Sequence, residues 1–391
     1  MKIVDVCAFY APHGGGVKTY IERKLKIGQQ LGQEIVIIAP GPRDRMESLP
    51  EGGRVIHVAS PRLLVDRRYR YFDNPAAVHE ILDREQPDMV EASSPWRTAT
   101  IVADWKGDAP RALVMHADPL AAYAYRWFGR LGSRETIDRG FDLFWQHLRR
   151  LGARFDLVVS ANHNLSSRLR AGGVRGVTTV PMGVDPGIFL PRLENPALRA
   201  ELLARCGLDE SATLLLGIGR HSPEKRWPMV IDATIMAGHR HPIGLVLIGD
   251  GRDRGRIVRH IAGNPHIQLI APIADRGLLA SVMTSADALV HGCEAETFGL
   301  VAAEAAASGL PLVVPDEGGA ADMVTAETGE WFKAGDTASA AAAIERLVLR
   351  DRAKLREATI LHATSVGTFD AHFRNLFAEY AALPSTTRRA A

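Results

Sequence analysis

Short apolar runs alternate with longer segments of helical periodicity along this chain, and that alternation limits its possible folds more than any other feature. The runs are rich in Val, Ile and Leu, as in Ile35-Val-Ile-Ile-Ala39 and Leu245-Val-Leu-Ile248. Buried parallel strands have this composition, because helices between them cover both faces of the sheet. The chain is therefore predicted to have an α/β fold with two doubly wound sheets. We predict strands at residues 3–6, 35–39, 55–58, 89–92, 112–115, 157–160 and 178–180, and at 214–218, 244–248, 267–270, 288–291 and 312–314.

The length of 391 residues indicates two domains rather than one ordinary core. Turn formers without periodicity in Val180-Pro-Met-Gly-Val-Asp-Pro186 are predicted to join the two domains. Aromatic and leucine side chains recur at helical spacing from Phe369 to Leu383, which predicts an amphipathic helix. The predicted limits are 1–183 for the first domain, 187–366 for the second, 367–383 for the helix and 384–391 for a frayed tail.

The composition is that of a soluble globular protein, with 46% hydrophobic and 24% charged residues. A net charge of +2 is too small to indicate a nucleic-acid partner. Cys7, Cys206 and Cys293 lie too far apart in sequence to indicate a disulfide framework or a zinc site. No apolar run approaches the ~20 residues of a membrane-spanning helix, and the first residues read as a strand rather than a secretion signal. We therefore predict a cytoplasmic protein.

Residues 291–314 read as a buried strand, an acidic turn containing Glu296, a helix containing Glu304, and another strand. The helix ends at Gly309 and Pro311, as helix ends commonly do. The N–H groups at such a helix start favour a phosphate, and the start lies where open α/β sheets bind ligands. A carboxylate beside it suits the hydroxyl groups of a sugar. Two glutamates eight residues apart occur by chance about once in such a chain, so this context, rather than the spacing, indicates a sugar nucleotide.

Two basic residues follow the apolar run 214–218. Arg220 lies at the predicted strand exit, and Lys225 follows it across a turn that contains Pro223. Such a loop is often merely solvated. At the carboxyl end of a strand, however, its two cations can neutralise a leaving diphosphate without a metal. We find no Asp-x-Asp pair placed to bind a metal–diphosphate complex, and we predict no metal and no cofactor.

These segments resemble the retaining glycosyltransferases of family 4. Three motifs show the resemblance, namely Glu296-x7-Glu304, Gly-Arg220-x4-Lys225 and the Pro-x-Gly-Val-Asp segment that ends at Asp185. One departure is Arg226, where the family usually has glycine. The resemblance implies a GT-B fold, with two Rossmann-like domains facing each other across a cleft. In that fold the first domain holds the acceptor, the second holds the donor, and the C-terminal helix crosses back to the first domain.

The resemblance also implies roles for individual residues of the second domain. Glu296 would hold hydroxyl groups of the donor sugar, and Glu304 would bind the ribose. Arg220 and Lys225 would stabilise the diphosphate. Backbone groups complete the predicted donor site, with those near Ile273 at the base and the N–H groups of Phe298, Gly299 and Leu300 at the sugar and diphosphate.

Three residues of the first domain belong to the same prediction. Gly15 and Gly16 follow the first strand and, by the resemblance, would face the transferred sugar and phosphate. That turn lacks the G-x-G-x-x-G spacing of a nicotinamide site. His116 ends the run 112–115, a position where a histidine more often caps or packs, but the family has a histidine there near the donor sugar. The predicted catalytic residues are thus His116, Arg220, Lys225 and Glu296.

The implied reaction is the metal-independent transfer of a hexosyl group from a nucleoside diphosphate sugar, a UDP-sugar, to a hydroxyl group of a glycan or lipid. The family implies retention of anomeric configuration. Two alternatives are a sugar-nucleotide epimerase of the same fold and a catalytically silent binding protein. An epimerase would convert the donor without any acceptor. A silent protein would have no need of Arg220, Lys225, Glu296 and Glu304 together.

Two segments of the first domain mix arginines with aromatic residues. The first contains Arg62, Arg67, Arg68 and Arg70, and the second contains Tyr123, Tyr125, Trp127, Phe128 and Arg130. They are either solvated helix faces with aromatic residues in the core, or a surface that contacts anionic lipid headgroups or the acceptor. The second interpretation predicts a peripheral protein on the inner face of the membrane.

Overall fold

The computed structural model describes residues 1–10, 16–50, 52–63, 69–116, 118, 120–121, 134–191 and 195–384. Several predicted positions lie outside these residues. They are Gly15, Arg67, Arg68, the group from Tyr123 to Arg130, and residues 385–391 of the predicted tail.

The described residues form two compact units. The first contains those of Met1–Asp118, Leu131–Met182 and Phe369–Ala391, and the second contains those of Pro119–Arg130 and Gly183–Thr368. The main division lies between Met182 and Gly183, inside the turn-rich segment 180–186. A Cβ atom on Gly183 would lie 2.1 Å from the carbonyl carbon of Thr368, so only glycine allows the two crossing segments this close an approach.

The first unit is built on a sheet with the order β3-β4-β2-β1-β5-β6-β7-β8. The described strands pair in parallel, except β3, which is antiparallel to β4. The polar edge strand β3 was not predicted, because it contains no apolar run. The strands are β1 Lys2–Val6, β2 Glu34–Gly41, β3 Arg45–Ser48, β4 Arg54–Ala59, β5 Met89–Ala92, β6 Arg111–Met115, β7 Leu157–Ser160 and β8 Val177–Thr179.

Helices connect these strands, and polar caps mark several of their starts. The Asn74 side chain accepts a hydrogen bond from Ala77 N–H ahead of Pro75, and Asn162 accepts one from Leu165 N–H. These caps satisfy N–H groups that the helix itself leaves unpaired. The described helices are α1 Gly16–Gln30, α2 Pro75–Glu85, α3 Arg97–Asp104, α4 Arg134–Gly140, α5 Asp142–Gly152 and α6 His163–Ala171.

The second unit has a parallel sheet with the order β11-β10-β9-β12-β13-β14. Trp227, Leu247 and Phe332 are buried in its core. The prediction missed β14, a short edge strand of sequence Gly-Glu-Trp-Phe, because only Gly329 and Phe332 are buried. The strands are β9 Thr213–Ile218, β10 Ile243–Ile248, β11 Ile267–Ile270, β12 Ala288–Val290, β13 Leu312–Pro315 and β14 Gly329–Phe332. The predicted α/β class is confirmed for both units.

The helices of the second unit are α7 Pro196–Arg205, α8 Trp227–Gly238, α9 Arg254–Ile261, α10 Arg276–Thr284, α11 Leu300–Ala307, α12 Thr337–Val348 and α13 Arg352–Ala363, with single 3-10 turns at Pro223–Lys225 and Ala321–Met323. The last helix, α14 Phe369–Ala382, belongs to the first unit and buries the five aromatic and leucine side chains of its periodic face. Its His372 contacts Tyr20 of α1. Within the described ranges, no helix is both long and apolar enough to cross a membrane.

Candidate functional site

The turn between β12 and α11 leaves the carboxyl end of a central strand. Gly299 precedes α11 with φ of +79°, a backbone conformation that favours glycine. Because glycine has no side chain, it cannot cap the helix, and the first N–H groups of α11 remain suited to a ligand. A Cβ atom on Gly299 would lie 3.4 Å from Oε2 of Glu296, so that carboxylate lies close to the helix start.

A second glycine turn, after β13, supports the first. The Gly319 N–H group donates to the Glu296 carbonyl at 2.7 Å. A Cβ atom on Gly319 would lie 2.5 Å from backbone atoms of Phe298, and one on Gly318 would lie 2.5 Å from the Glu294 carbonyl oxygen. The conformation of the acidic turn therefore depends on this pair of glycines.

Lys225 and Glu296 come from different turns and are brought into contact. The Lys225 ammonium group meets the Glu296 carboxylate. Lys225 is almost completely buried at the end of the 3-10 turn that follows β9, whereas Glu296 is partly exposed. Burial lowers the pKa of Lys225, and Arg220 lowers it further by Coulombic repulsion. The site thus presents a poorly solvated cation beside a carboxylate at the start of a helix.

Arg220 lies on the same loop as Lys225 but is more open to solvent. Its carbonyl group accepts a hydrogen bond from the Trp227 indole N–H at 3.0 Å, which holds the loop against the core. Its guanidinium group is half-exposed and lies 4.0 Å from the Glu224 carboxylate. Arg220 therefore has an anchored backbone and a side chain that is free to reorient towards an anion.

Arg226, the departure from the family pattern, has an identifiable structural role. Its backbone is left-handed, with φ of +51°, which is where a glycine would fit easily. Its guanidinium group binds the buried Glu294 carboxylate, with Nε at 3.0 and 2.7 Å from the two oxygens. Glu294 was not among the predicted site residues, since nothing in its spacing indicates a partner so far along the chain.

Glu304 has a partner that the sequence analysis also missed. It lies on α11, is only 6% exposed and contacts Arg276 at the start of α10. Burial raises the pKa of Glu304, and Arg276 partly offsets that shift. The Arg276 guanidinium lies 4.6 Å from the centroid of the Phe189 ring. Ile273, the predicted base contact, is partly exposed three residues before Arg276.

His291 directly follows β12 and was not among the predicted site residues. Its Nε2 atom is buried, has no hydrogen-bond partner among the described residues and lies 3.7 Å from Oε2 of Glu296. Burial, with Lys225 as the second cause, lowers the pKa of His291 to about 3, so the ring is neutral near pH 7. His291 is the first residue of the segment 291–314, and this position at the end of a predicted strand could have marked it as a site residue.

Three ligand-type side chains meet at this turn and raise the question of a metal. Side-chain ligand atoms of His291, Cys293 and Glu296 lie within 4.8 Å of one another. However, the adjacent Lys225 ammonium repels a cation, and burial raises the pKa of the Cys293 thiol so that it stays protonated. A metal ligand needs the thiolate, so the donor set does not favour a metal here.

In the first unit, His116 follows β6. Its Nε2 atom lies 3.2 Å from the Ser93 hydroxyl oxygen, and its ring lies 4.7 Å from that of Tyr20. Burial lowers the pKa of His116 to about 4, so the imidazole is neutral near pH 7. Gly16, the other described site residue of this unit, is exposed at the start of α1.

A buried charged cluster is connected to His116 through Ser93. Asp5 of β1 and Glu91 of β5 are register neighbours, and Lys24 of α1 contacts both carboxylates, with 2.9 Å to Asp5. All three are fully buried. Burial alone would lower the pKa of Lys24, but attraction to Asp5 and Glu91 raises it. Neither the cluster nor its connection to His116 through Ser93 was predicted, because nothing local in the sequence connects these residues.

Two arginines of the predicted lipid-contacting surface are described. Arg62 and Arg70 form an antiparallel bridge, and Leu63 N–H donates to the Tyr69 carbonyl at 2.8 Å. Arg62 is exposed, whereas Arg70 is partly buried and donates to the Ser60 carbonyl at 2.5 Å. Arg62 is thus available for an electrostatic contact, and Arg70 has a structural bond.

Comparison with known families matches both halves of the chain. Residues 14–187 match the family described as Glycosyltransferase Family 4, and residues 199–365 match the one described as Glycosyl transferases group 1. A curated relative is the GDP-mannose-dependent alpha-(1-6)-phosphatidylinositol dimannoside mannosyltransferase of Mycobacterium tuberculosis (strain ATCC 25177 / H37Ra). It is 28% identical over 330 residues, which are 84% of this chain and 83% of that protein.

Solved structures share the fold at lower identity. Sucrose-phosphate synthase from Thermosynechococcus elongatus matches with a TM-score of 0.74 at 18% identity. The match covers 97% of this chain and 98% of the chain in that structure. The Anabaena protein Alr3699/HepE in complex with UDP matches with a TM-score of 0.72 at 17% identity. That match covers 98% of this chain and 100% of the chain in that structure. At these identities the two structures support the fold alone.

Proposed function

Because the chain belongs to the family 4 glycosyltransferases and has their GT-B fold of Rossmann-like α/β domains, we propose that it transfers a hexosyl group from a nucleoside diphosphate sugar to a hydroxyl group of a glycan or lipid. The proposal includes retention of the anomeric configuration and independence from a metal. The observation that carries it is the contact between Lys225 and Glu296 at the start of α11.

The electrostatics of this contact suit a diphosphate. In the free protein the Lys225 ammonium group contacts the Glu296 carboxylate. A diphosphate carries more negative charge than Glu296 and also binds the N–H groups of α11, so it competes well for Lys225. Glu296 then becomes available to accept hydrogen bonds from the sugar. Arg220 adds a second cation from the same loop, and together these groups replace the charge that a metal would supply.

Glu304 suits the ribose of the donor nucleotide. Its contact with Arg276 favours the ionised carboxylate and so opposes the effect of burial, and an ionised carboxylate accepts hydrogen bonds from hydroxyl groups. Arg276 also stacks on Phe189, which fixes it near the segment that contains Ile273. We assign the base and ribose end of the donor to this side of the site.

The comparison with known proteins changes the expected nucleotide base of the donor. The sequence resemblance led us to expect a UDP-sugar, but the relative at 28% identity is named as GDP-mannose-dependent. We therefore propose GDP-mannose as the donor to test first, with UDP-sugars as the alternative. That relative acts on a phosphatidylinositol dimannoside, which also favours a lipid-linked acceptor for this chain.

We also propose that the protein works in the cytoplasm, in peripheral contact with anionic lipid through Arg62, Arg67, Arg68 and Arg70. The exposed Arg62 supports this idea, since a basic side chain near a membrane surface gains about 1 kcal/mol from anionic lipids. Arg70 contributes less, because its guanidinium group already donates to Ser60.

Retention of configuration does not require a carboxylate nucleophile in this scheme. A double displacement needs a carboxylate poised at the anomeric carbon, but Glu296 already has a role at the sugar hydroxyl groups. We propose attack on the same face from which the diphosphate departs, with the departing phosphate accepting the acceptor's proton. Lys225 and Arg220 then stabilise the charge that develops on the leaving group.

The experiment compares donor binding and transfer in the parent, Lys225→Ala and Lys333→Ala, in which an exposed lysine of the same unit is removed as a control. GDP-mannose at ~100 times its Kd should add about 2.7 kcal/mol to the stability of the parent. Loss of Lys225 removes one charge-assisted donor and leaves Glu296 opposed to the diphosphate. We expect transfer to fall by ~100-fold, or about 3 kcal/mol, with a normal thermal transition.

Three outcomes would contradict the proposal. The first is that no nucleotide sugar stabilises the parent protein. The second is that Lys225→Ala transfers sugar at a near-normal rate, and the third is that Lys333→Ala is as impaired as Lys225→Ala. Incubation of GDP-mannose without an acceptor separates the epimerase alternative, because only an epimerase would accumulate a new nucleotide sugar.

A further inference from the structure

His291 is buried beside the donor site and has no role in the proposed transfer. It follows β12, is only 2% exposed, and its Nε2 atom has no hydrogen-bond partner in the part of the chain that the structure describes. A buried polar atom without a partner lowers the stability of a fold. An atom of this kind next to a ligand site is therefore expected to gain a partner in another state of that site.

The chemistry of the ring makes Nε2 a hydrogen-bond acceptor. Burial and Lys225 lower the pKa of His291 to about 3, and a hydrogen bond with the Cys293 backbone opposes that shift. A bond that raises the pKa of a histidine is one in which the ring donates. Since Nε2 has no partner among the described residues, the donating atom is Nδ1. A neutral ring carries only one proton, so Nε2 presents a lone pair.

Two contacts hold the segment that begins at His291 against the loop that contains Lys225. A Cβ atom on Gly292 would lie 2.8 Å from the Lys225 carbonyl oxygen, so the two backbones approach closely. Arg226, the residue after Lys225, binds Glu294 with Nε at 2.7 Å from Oε2. The end of β12 and the loop are thus joined at two points, which keeps Lys225 beside the start of the acidic segment.

The Lys225 ammonium group and Nε2 of His291 approach different oxygen atoms of one carboxylate. Lys225 contacts Oε1 of Glu296, whereas Nε2 lies 3.7 Å from Oε2, which is too long for a hydrogen bond. Nε2 and Oε2 are both acceptors, so no proton joins them. An ammonium group has three N–H donors. A Lys225 side chain that leaves Glu296 therefore has another acceptor within the same site.

We propose that His291 is a positioning residue of the donor site, whose Nε2 atom accepts a hydrogen bond from the Lys225 ammonium group when a diphosphate draws that group away from Glu296. This inference rests on the proposed function, in which the diphosphate competes with Glu296 for Lys225. A neutral acceptor holds the ammonium group without opposing its charge, as a carboxylate does. Lys225 then meets the leaving group with its charge intact, and the buried Nε2 atom gains a partner.

The state of Nε2 can be measured by NMR in protein labelled with ¹⁵N-histidine. The His291 signal is assigned by its loss in His291→Gln, and two-bond ¹H–¹⁵N correlations show which nitrogen carries the proton. In the free parent we expect Nδ1–H and an unprotonated Nε2. GDP, or UDP if the parent binds only that nucleotide, supplies a diphosphate without a hexose. It should move the Nε2 signal to lower ¹⁵N frequency, as occurs when a lone pair accepts a hydrogen bond. In Lys225→Met, at a nucleotide concentration that saturates this variant, the signal should not move.

Nucleotide binding is the second readout, with His291→Phe and His291→Gln as the matched pair. Phenylalanine keeps a planar ring but has no acceptor, whereas the glutamine side chain can still accept from Lys225. In His291→Phe we expect the Kd for the nucleotide to rise about tenfold, as for the loss of one hydrogen bond to a charged group. His291→Gln should bind nearly as well as the parent. His239→Phe, which changes an exposed histidine of the same unit, should bind like the parent.

The proposal is overturned if the free parent carries its proton on Nε2, or if the bound nucleotide leaves the Nε2 signal in place. A shift that appears only with GDP-mannose would also overturn it, because a sugar hydroxyl group would then be the donor. Equal binding by the parent and His291→Phe would contradict the proposal, and an equal loss of binding in His291→Phe and His291→Gln would assign the ring to packing instead. A parent that binds neither GDP nor UDP would refute the proposed function and this inference with it, whereas bound nucleotide without a shift refutes this inference alone.

Discussion

The cluster of Asp5, Lys24 and Glu91 makes a quantitative prediction about the pH dependence of stability. Glu91 is fully buried beside Asp5, its register neighbour, and one lysine serves both carboxylates. Burial raises the pKa of Glu91 to about 7, against the opposing attraction of Lys24. The folded protein therefore holds a proton on Glu91 at pH values where the unfolded chain has released it.

The sign follows from proton linkage. Between the unfolded pKa of 4.5 and the folded value of about 7, the native state binds more protons than the unfolded state, so stability falls as the pH rises. At 1.36 kcal/mol per pKa unit, the shift corresponds to about 3 kcal/mol. This contribution is fully present below pH ~4.5 and is lost as the pH rises through ~7.

The perturbation is Glu91→Gln, which keeps the shape of the side chain but cannot titrate. Free energies of unfolding from urea titrations at pH 5 to 8 should show the parent losing about 2.5 kcal/mol relative to the variant, because part of the shift lies below pH 5. Burial lowers the pKa values of His116 and His372, but both histidines are present in both proteins and their contributions cancel in the difference. A constant difference between the two curves would refute the assignment of the proton to Glu91.

Two further predictions concern other parts of the molecule. Gly319→Ala places a Cβ atom 2.5 Å from the Phe298 backbone, so we expect isothermal titration to show GDP-mannose binding weakened about tenfold or more, with a loss of stability of about 1–3 kcal/mol. The control Gly238→Ala, where a Cβ atom meets nothing within 4 Å, should bind like the parent. Parent-like binding by Gly319→Ala would contradict the role of that turn. Flotation with vesicles that contain anionic lipid should recover less of the double variant Arg67→Glu/Arg68→Glu than of the parent protein. The control variant Arg84→Glu, which changes a highly exposed arginine of the same unit, should float like the parent. Equal recovery of all three proteins would dismiss the lipid contact.

The strands were predictable because burial on both faces leaves a local signature. Each predicted run coincides with an observed strand to within two residues, as for 35–39 in β2 and 288–291 in β12. The missed strands, β3 and β14, are at sheet edges, where only one side pairs and polar residues are tolerated. Their existence depends on a neighbouring strand that is distant or unremarkable in sequence, so no local pattern indicates them.

The parts of the site that share one turn were accessible to sequence reasoning, whereas their partners were not. Glu296 and the N–H groups of α11 lie within one segment, and a family pattern marks Lys225. Arg276 is 28 residues from Glu304, Glu294 is 68 from Arg226, and Ser93 is 88 from Asp5. Those pairs exist only because parallel strands bring their carboxyl ends to one edge, which is a property of the folded sheet and of no single segment.

Arg226 illustrates how a departure from a family pattern can be stabilised in the folded state. A non-glycine residue at φ of +51° costs about 1–2 kcal/mol relative to a right-handed conformation. Its guanidinium group offsets that cost by binding Glu294, which is buried and would otherwise be an unpaired charge. Glycine would relieve the backbone but leave Glu294 without this partner, so the two positions are coupled. The acidic turn of the donor site is thereby held on one side by Arg226 and on the other by the Gly318-Gly319 turn, which leaves Glu296 as the carboxylate that can exchange its partner when a diphosphate binds.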